Sequence, residues 1–283
     1  MITLNEEEDI LTKAYVPEHI VSLMGLISKG EPFLVEDYLS FFKDNWLILV
    51  GYPLRKDSST ERCERVLEQI LSSYRPEYLW FIGPEVPFSL SKISTERQTD
   101  QYYTFDLEVT KPKTSLLRVA EKASMKLEIE KGHSFLKEHE ALVAEFLKRE
   151  KLTPRLRELY LAMPQYVPQS ESSCVLNAWD NKGNLSAFYI VDLAAKGFAT
   201  YLLGCYSRKN YVPHASDLLF YEMIELTRES GKKIINLGLG VNEGIRRFKE
   251  KWGGIPTLRY EFCEVHYGYT RTASLIRDLA GKL

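Results

Sequence analysis

The chain has 283 residues, long for one simple domain and comfortable for two of about 140 each. Hydrophobic residues make up 45% and charged residues 27%, so a large core forms without a disulfide or metal staple. A net charge of -2 excludes a global electrostatic drive toward nucleic acid or anionic membrane and leaves only local basic patches for such contacts.

The N-terminus, MITLNEEEDILTKAY, is acidic and lacks a long apolar run, which does not fit a signal peptide. No stretch approaches the roughly 18 apolar residues of a membrane span, so no integral membrane segment is expected. The cysteines Cys63, Cys174, Cys205 and Cys263 are widely spaced, with no CxxC and no Cys/His cluster. That argues against zinc or any other metal, and for free thiols in a reducing cytoplasm.

Residues 45–54 (NWLILVGYPL) form a compact apolar run that suits a buried strand. Ser58, Ser59 and Thr60 then supply N-cap candidates for a helix carrying Val66, Leu67, Ile70 and Leu71 at helical spacing, stopped by Pro76. Residues 77–83 and 101–109 read as two further strands. Residues 111–126 are basic and helix-like, with a short strand after them. Helical periodicity returns over 139–150 and 154–163, and Pro164 and Pro168 are expected to bound a loop. A domain boundary is expected near residues 108–125.

The second half has the clearer pattern. Residues 173–179 (SCVLNAW) and 185–193 (LSAFYIVDL) flank Asp180-Asn181-Lys182-Gly183-Asn184, a turn of residues that tolerate left-handed backbone, and so read as a hairpin. Residues 197–205 add a third strand. A helix over 215–230 follows, with Ser216 or Asp217 as its cap. A strand over 233–237, a Gly-rich turn, a helix over 243–252 and an alternating strand over 256–265 complete the pattern.

The turn Asn236-Leu-Gly-Leu-Gly-Val-Asn-Glu-Gly has the wrong spacing for GxGxxG and no GK[ST], so neither nucleotide motif applies. The helix after it holds Arg246, Arg247, Lys249 and Lys251 within six residues, either a grip for an anion or a solvated face partly paired by Glu243 and Glu250. The free N–H groups at the start of the 215–230 helix favour an anion, with Arg208 and Lys209 just upstream, although Asp217 competes for the same groups. Tyr189, Asp192, Tyr201, Tyr206 and His214 are the acid–base candidates.

The order hairpin, third strand, Pro-flanked helix, GKKIINLGLG, IRRFKEKWGG and closing strand resembles the GNAT acyltransferase fold. More narrowly, it resembles the tandem branch that holds the Fem-type peptidoglycan aminoacyltransferases and the C-terminal domain of phosphatidylglycerol lysyltransferases. Gly231, Asn236-Leu237-Gly238, and Phe248-Lys249 before Gly253-Gly254 carry the likeness. It covers residues 110–265 well and 30–109 only by order of elements.

The resemblance implies an α/β (α+β) protein of two GNAT-like domains, each a mixed, mostly antiparallel sheet flanked by helices. Residues 1–110 would form a degenerate first domain and 111–283 a second with the acyl-donor site. It implies acyl transfer from a CoA thioester or an aminoacyl-tRNA to an amine or hydroxyl of a small molecule, peptide or lipid. Residues 111–137 and 246–251 are the local basic patches for a tRNA.

In this reading Lys249, Tyr206 and His214 are catalytic candidates, with Lys249 stabilising negative charge. Leu203, Cys205, Arg208, Lys209, Ser216, Asn236 and Gly238 line the donor. GNAT enzymes carry an R/QxxGxG/A loop for pyrophosphate; the matching place here, Asn-Tyr-Val-Pro-His-Ala-Ser, has no glycine, which argues against coenzyme A in the usual mode. The rival reading is a catalytically silent GNAT-like module that binds a small ligand or protein.

Overall fold

A computed structural model describes residues 2–55 and 59–267. These divide into two units, one of residues 2–101 with 258–267 and one of residues 102–257.

The first unit opens with α1 (Leu4–Lys13), set by a capping box between Thr3 and Glu6. A short 3₁₀ turn at Pro17–His19 leads to α2 (Val21–Ser28). The strands β1 (Glu31–Val35), β2 (Tyr38–Lys43) and β3 (Trp46–Val50) then form an antiparallel meander. Its turns use Glu36 and Asp44 in left-handed backbone. Ser59 caps α3 (Thr60–Tyr74), while Ser58 lies outside the described residues. The helix buries Cys63, Val66, Leu67 and Ile70 and ends at left-handed Arg75, just before Pro76.

β4 (Tyr78–Gly83) pairs in parallel with β3. A short α4 (Phe88–Ser91) and β5 (Glu96–Asp106) follow, β5 ending in the second unit. The far end of the chain returns here: β11 (Ile255–His266) pairs antiparallel with β4 from Glu261 to His266. Tyr38, Leu49, Val66, Ile70, Phe81 and Val265 pack into one core.

The second unit repeats the scheme. After α5 (Thr114–Ser124), β6 (Leu127–Gly132), α6 (Lys137–Arg149) and α7 (Pro154–Gln169) come β7 (Ser173–Asp180), β8 (Leu185–Asp192) and β9 (Phe198–Tyr206). β6 to β9 pair antiparallel in order. α8 (Ala215–Glu229) crosses over to β10 (Ile234–Leu239), which runs parallel to β9 and antiparallel to β5. α9 (Glu243–Trp252) precedes β11. Phe105, Leu176, Tyr189, Leu219, Met223, Ile235 and Trp252 build its core. Each unit is thus a mostly antiparallel sheet with a single parallel pair among its described strands, entered through a helix.

The two prolines of α7 depart from expectation. Pro164 and Pro168 do not bound a loop; α7 runs through both to Gln169. Each proline removes one helical hydrogen bond, but Met163, Tyr166 and Val167 are buried on the inner face, and Ser170 N–H still donates to the Tyr166 carbonyl at 3.0 Å. Burial of that face outweighs the lost bonds.

Candidate functional site

The parallel pair of the second unit comes apart. β9 and β10 pair only at Phe198, Ala199 and Thr200 with Ile234, Ile235 and Asn236. Both strands are distorted there. β9 opposes β8 with a register shift, because Ile190 faces Leu203 and Val191 faces Tyr201, leaving Leu202 as an extra residue. β10 kinks at Gly238, whose φ of 73° suits glycine. The Asn236 side-chain oxygen accepts the Gly238 N–H at 2.8 Å and stabilises the kink. Among the described residues no strand pairs with the outer edge of β9 from Tyr201 to Tyr206.

The first unit has no such gap. β3 and β4 pair from Trp46↔Tyr78 to Val50↔Ile82, and Gly51 N–H donates to the Ile82 carbonyl at 2.6 Å. The Phe81 ring fills the space over Gly51 and Gly83; a Cβ on Gly83 would lie 2.7 Å from it.

Lys249 lies beside the open pair. Asn242 caps α9 by accepting the Ile245 N–H at 2.9 Å, and Gly253 ends the helix in left-handed backbone. Lys249 is only 5% exposed, although lysine is almost never buried without a partner. Its ammonium donates to the Leu239 carbonyl at 2.6 Å and lies 5.7 Å from the centre of the Tyr103 ring. A Cβ placed on Gly238 would be 4.0 Å from that ammonium and 3.8 Å from the Tyr201 carbonyl oxygen. The fold therefore brings Asn236, Gly238 and Lys249 together with the first unpaired residue of β9.

The start of α8 differs from expectation. Its N-cap is His214 in left-handed backbone at φ 68°, with no side-chain cap bond. Ser216 and Asp217 sit inside the first turn instead. The buried Asp217 carboxylate meets His214 Nδ1 at 3.0 Å, Lys251 Nζ at 2.5 Å and Trp252 Nε1 at 2.9 Å. Burial alone would raise its pKa, but the bonds from Lys251, His214 and Trp252 outweigh burial and hold it below the usual carboxylate value. Asp217 thus gives the helix start its own anion and ties α8 to α9.

Tyr189 O–H donates to the Ser216 carbonyl at 3.0 Å, and its ring meets Tyr201 edge-on at 4.9 Å. That chain of contacts links the start of α8 to the gap. Arg208 and Lys209 are exposed. Asp192 accepts from Tyr166, Ser172 and the Ala194 N–H, at 2.7, 2.9 and 2.8 Å. The basic run on α9 is paired: Arg246 and Arg247 with Glu243, and Lys251 with Asp217.

No protein-family model matches the chain, and no curated protein matches it. Solved structures do. FemX aligns at 12% identity over 92% of this chain and 96% of its own, with a TM-score of 0.63. L-PGS from Bacillus licheniformis aligns at 17% identity over 94% and 92%, with a TM-score of 0.58. A tandem GNAT protein from the clavulanic acid biosynthesis pathway aligns at 12% identity over 81% and 78%, with a TM-score of 0.52. The chain has the tandem GNAT fold.

At the far end of β9 this GNAT fold holds a cluster that sequence reasoning missed. Leu203 and Cys205 are buried, each 2% exposed. Burial pushes the Cys205 thiol far up, so it is no thiolate nucleophile. The Arg149 guanidinium lies 4.5 Å from the centre of the Tyr206 ring. Glu145, one turn earlier on α6, accepts from Ser207 Oγ at 3.1 Å and from the Arg208 N–H at 2.6 Å. In sequence these two residues sit in an ordinary amphipathic helix. Their i, i+4 spacing was the signal, and it marks many solvated helix faces equally well.

Proposed function

We propose that the second unit transfers an acyl or aminoacyl group, with the acyl carbonyl laid against the open edge of β9 at residues 201–206. The observation that carries this reading is the open β9–β10 pair with the buried Lys249 ammonium beside it. An open strand edge offers backbone N–H groups to a carbonyl oxygen, and a buried cation stabilises the oxyanion that forms when a nucleophile attacks. The acceptor amine or hydroxyl adds to the carbonyl carbon, the ester bond of the donor breaks, and the acceptor's proton passes to the leaving oxygen.

Coenzyme A in the mode the GNAT fold implies does not fit these residues. Asp217 already supplies an anion at the α8 start, and Glu145 already takes the Arg208 N–H. The loop at 207–214 has no glycine to let phosphate approach the backbone. The donor is therefore read as an aminoacyl ester carried by tRNA, and the acceptor as an amine or hydroxyl on a small molecule, peptide or lipid. The resemblance of the sequence to the Fem-type aminoacyltransferases, carried by Asn236-Leu237-Gly238 and Phe248-Lys249, supports this donor class. Four free, buried cysteines support a reducing, cytoplasmic setting, and no described helix is long and apolar enough to cross a membrane.

The test presents the protein with charged tRNA and, separately, with acetyl-CoA, and follows both thermal stability and loss of the labelled acyl group. A donor at a hundredfold excess over Kd adds about 2.7 kcal/mol of stability. Stabilisation and turnover by charged tRNA are expected. Neither effect with either donor would sink the transferase reading.

One observation favours a silent binding module as the second reading. Three of the acid–base candidates are engaged or buried: Asp192 is held by Tyr166, Ser172 and the Ala194 N–H, Tyr189 bonds the Ser216 carbonyl, and burial pushes the Tyr201 phenol up. Stabilisation by a donor with no turnover would establish it.

A further inference from the structure

Glu145 belongs to α6, yet its carboxylate caps the chain as it leaves β9. Oε2 accepts from Ser207 Oγ at 3.1 Å and Oε1 from the Arg208 N–H at 2.6 Å. Ser207 Oγ in turn accepts the Asn210 N–H at 2.9 Å, which fixes the turn. Arg149 Nη1 approaches Glu145 Oε1 to 3.6 Å, outside hydrogen-bond range. The Arg149 side chain is only 11% exposed, and its Nε bonds Glu150 Oε1 at 2.8 Å. Its Nη1 and Nη2 are buried, and neither has a hydrogen-bond partner among the described residues.

Two unmatched guanidinium nitrogens in a buried place are costly, because desolvated donors need acceptors. Tyr206 and Phe146 hold the plane, at 4.5 and 5.3 Å from ring centre to guanidinium carbon. A hydroxyl, a backbone N–H and a rigid guanidinium therefore converge on one carboxylate that fills their space but satisfies only two of them. A tetrahedral oxyanion has more oxygens than a carboxylate and matches a guanidinium fork.

We infer that Glu145 is a built-in anion occupying an oxyanion cradle formed by Ser207, the Arg208 N–H and Arg149, and that it excludes phosphate-bearing ligands from the end of β9. This deepens the proposed function and rests on it for one point only, that the excluded ligands include acyl donors with a pyrophosphate. The carboxylate is a third exposed, so it is a plug at the surface and not a core residue. Glu145 thus determines specificity; the cradle itself is Ser207, Arg208 and Arg149.

The experiment measures binding of inorganic pyrophosphate and of coenzyme A by calorimetry to wild type, Glu145→Ala and Glu145→Ala/Arg149→Met, with Glu140→Ala as a control of equal charge change on the same helix. Glu145→Ala is expected to bind pyrophosphate about tenfold or more tightly than wild type. The Arg149→Met combination should lose that gain, and Glu140→Ala should show none. Coenzyme A should follow pyrophosphate if its diphosphate enters the cradle; a gain for pyrophosphate alone would limit the cradle to free anions and overturn the donor-exclusion half.

Equal binding by wild type, no gain in folded Glu145→Ala, or the same gain in Glu140→Ala would each overturn the inference. If Glu145→Ala does not fold, Glu145→Gln replaces it with the same expected direction. The readout needs no turnover. Absence of aminoacyl transfer by wild type, with the Glu145→Ala gain intact, would therefore count against the proposed function and leave the cradle standing.

Discussion

Lys249→Met separates a structural lysine from a catalytic one. Methionine keeps an unbranched stem of similar length and removes only the charge and its donors. The stability change has two opposing parts. The bond from the ammonium to the Leu239 carbonyl at 2.6 Å is lost, leaving that carbonyl without its donor, and a charged hydrogen bond contributes about 1.5–3 kcal/mol. Against that, a 5% exposed ammonium no longer has to be desolvated, a penalty of several kcal/mol that the folded wild type bears. The two oppose each other, so Lys249→Met should stay folded and unfold in urea within about 3 kcal/mol of wild type.

Transfer should behave differently. A single preorganised donor to a developing oxyanion accounts for roughly 10²–10³ in kcat. Lys249→Ala is the weaker variant, because truncating the buried stem adds a cavity cost of about 2–4 kcal/mol and confuses the readings. Single-turnover transfer from charged tRNA, beside urea titrations, decides the matter. A folded Lys249→Met protein that turns over within about threefold of wild type would refute the role of Lys249 and, with it, the placing of the carbonyl in the gap.

Other consequences follow from the same contacts. Asp217→Ala leaves the buried Trp252 indole N–H without its acceptor and should cost about 2–3 kcal/mol by urea titration, whereas Asp217→Asn keeps an acceptor oxygen and should cost about 1 kcal/mol. His19 is buried, with Nε2 2.8 Å from the Tyr52 carbonyl, and burial pushes its pKa down from 6.5 to about 4. The unfolded chain takes up that proton first, so the stability is whole above pH 6.5 and is lost as pH falls toward 4, by about 3 kcal/mol in all, and His19→Leu should flatten that slope. Gly51→Ala would drive a Cβ into the Phe81 ring and should destabilise the first unit by about 1–3 kcal/mol or more, whereas Gly183→Ala, with open space around it, should show only the left-handed backbone cost of about 1–2 kcal/mol.

Local pattern made much of this fold legible. The 3.6-residue spacing of Val66, Leu67 and Ile70 marked α3, which buries one face against a core, and the alternation along 256–265 marked β11, although its residues from Tyr260 to Cys263 are buried on both faces. Pro164 and Pro168 lie within α7 because a helix is held by its buried face as well as by its own bonds. At α8 the caps were misplaced: Ser216 and Asp217 are the right residue types, but Lys251 and Trp252, more than thirty residues on, engage the Asp217 carboxylate. Arg149 and Glu145 were silent for the same reason, since what sets them apart is contact with Tyr206, Ser207 and Arg208 some sixty residues away.

The difference between the two parallel pairs lies in a few side chains, Phe81 in the first unit and Asn236 and Lys249 in the second. In the first unit the Gly51 N–H donates to the Ile82 carbonyl, and the Phe81 ring covers both glycines, so the pair stays zipped to its end. In the second unit the Gly238 N–H is turned back onto the Asn236 side chain of its own strand, and the Leu239 carbonyl is taken by Lys249. Both backbone groups are thereby satisfied within β10 and α9. A buried strand edge can open only if its polar groups find other partners. Asn236 and Lys249 supply them, so the residues that open the gap are the same ones that line it.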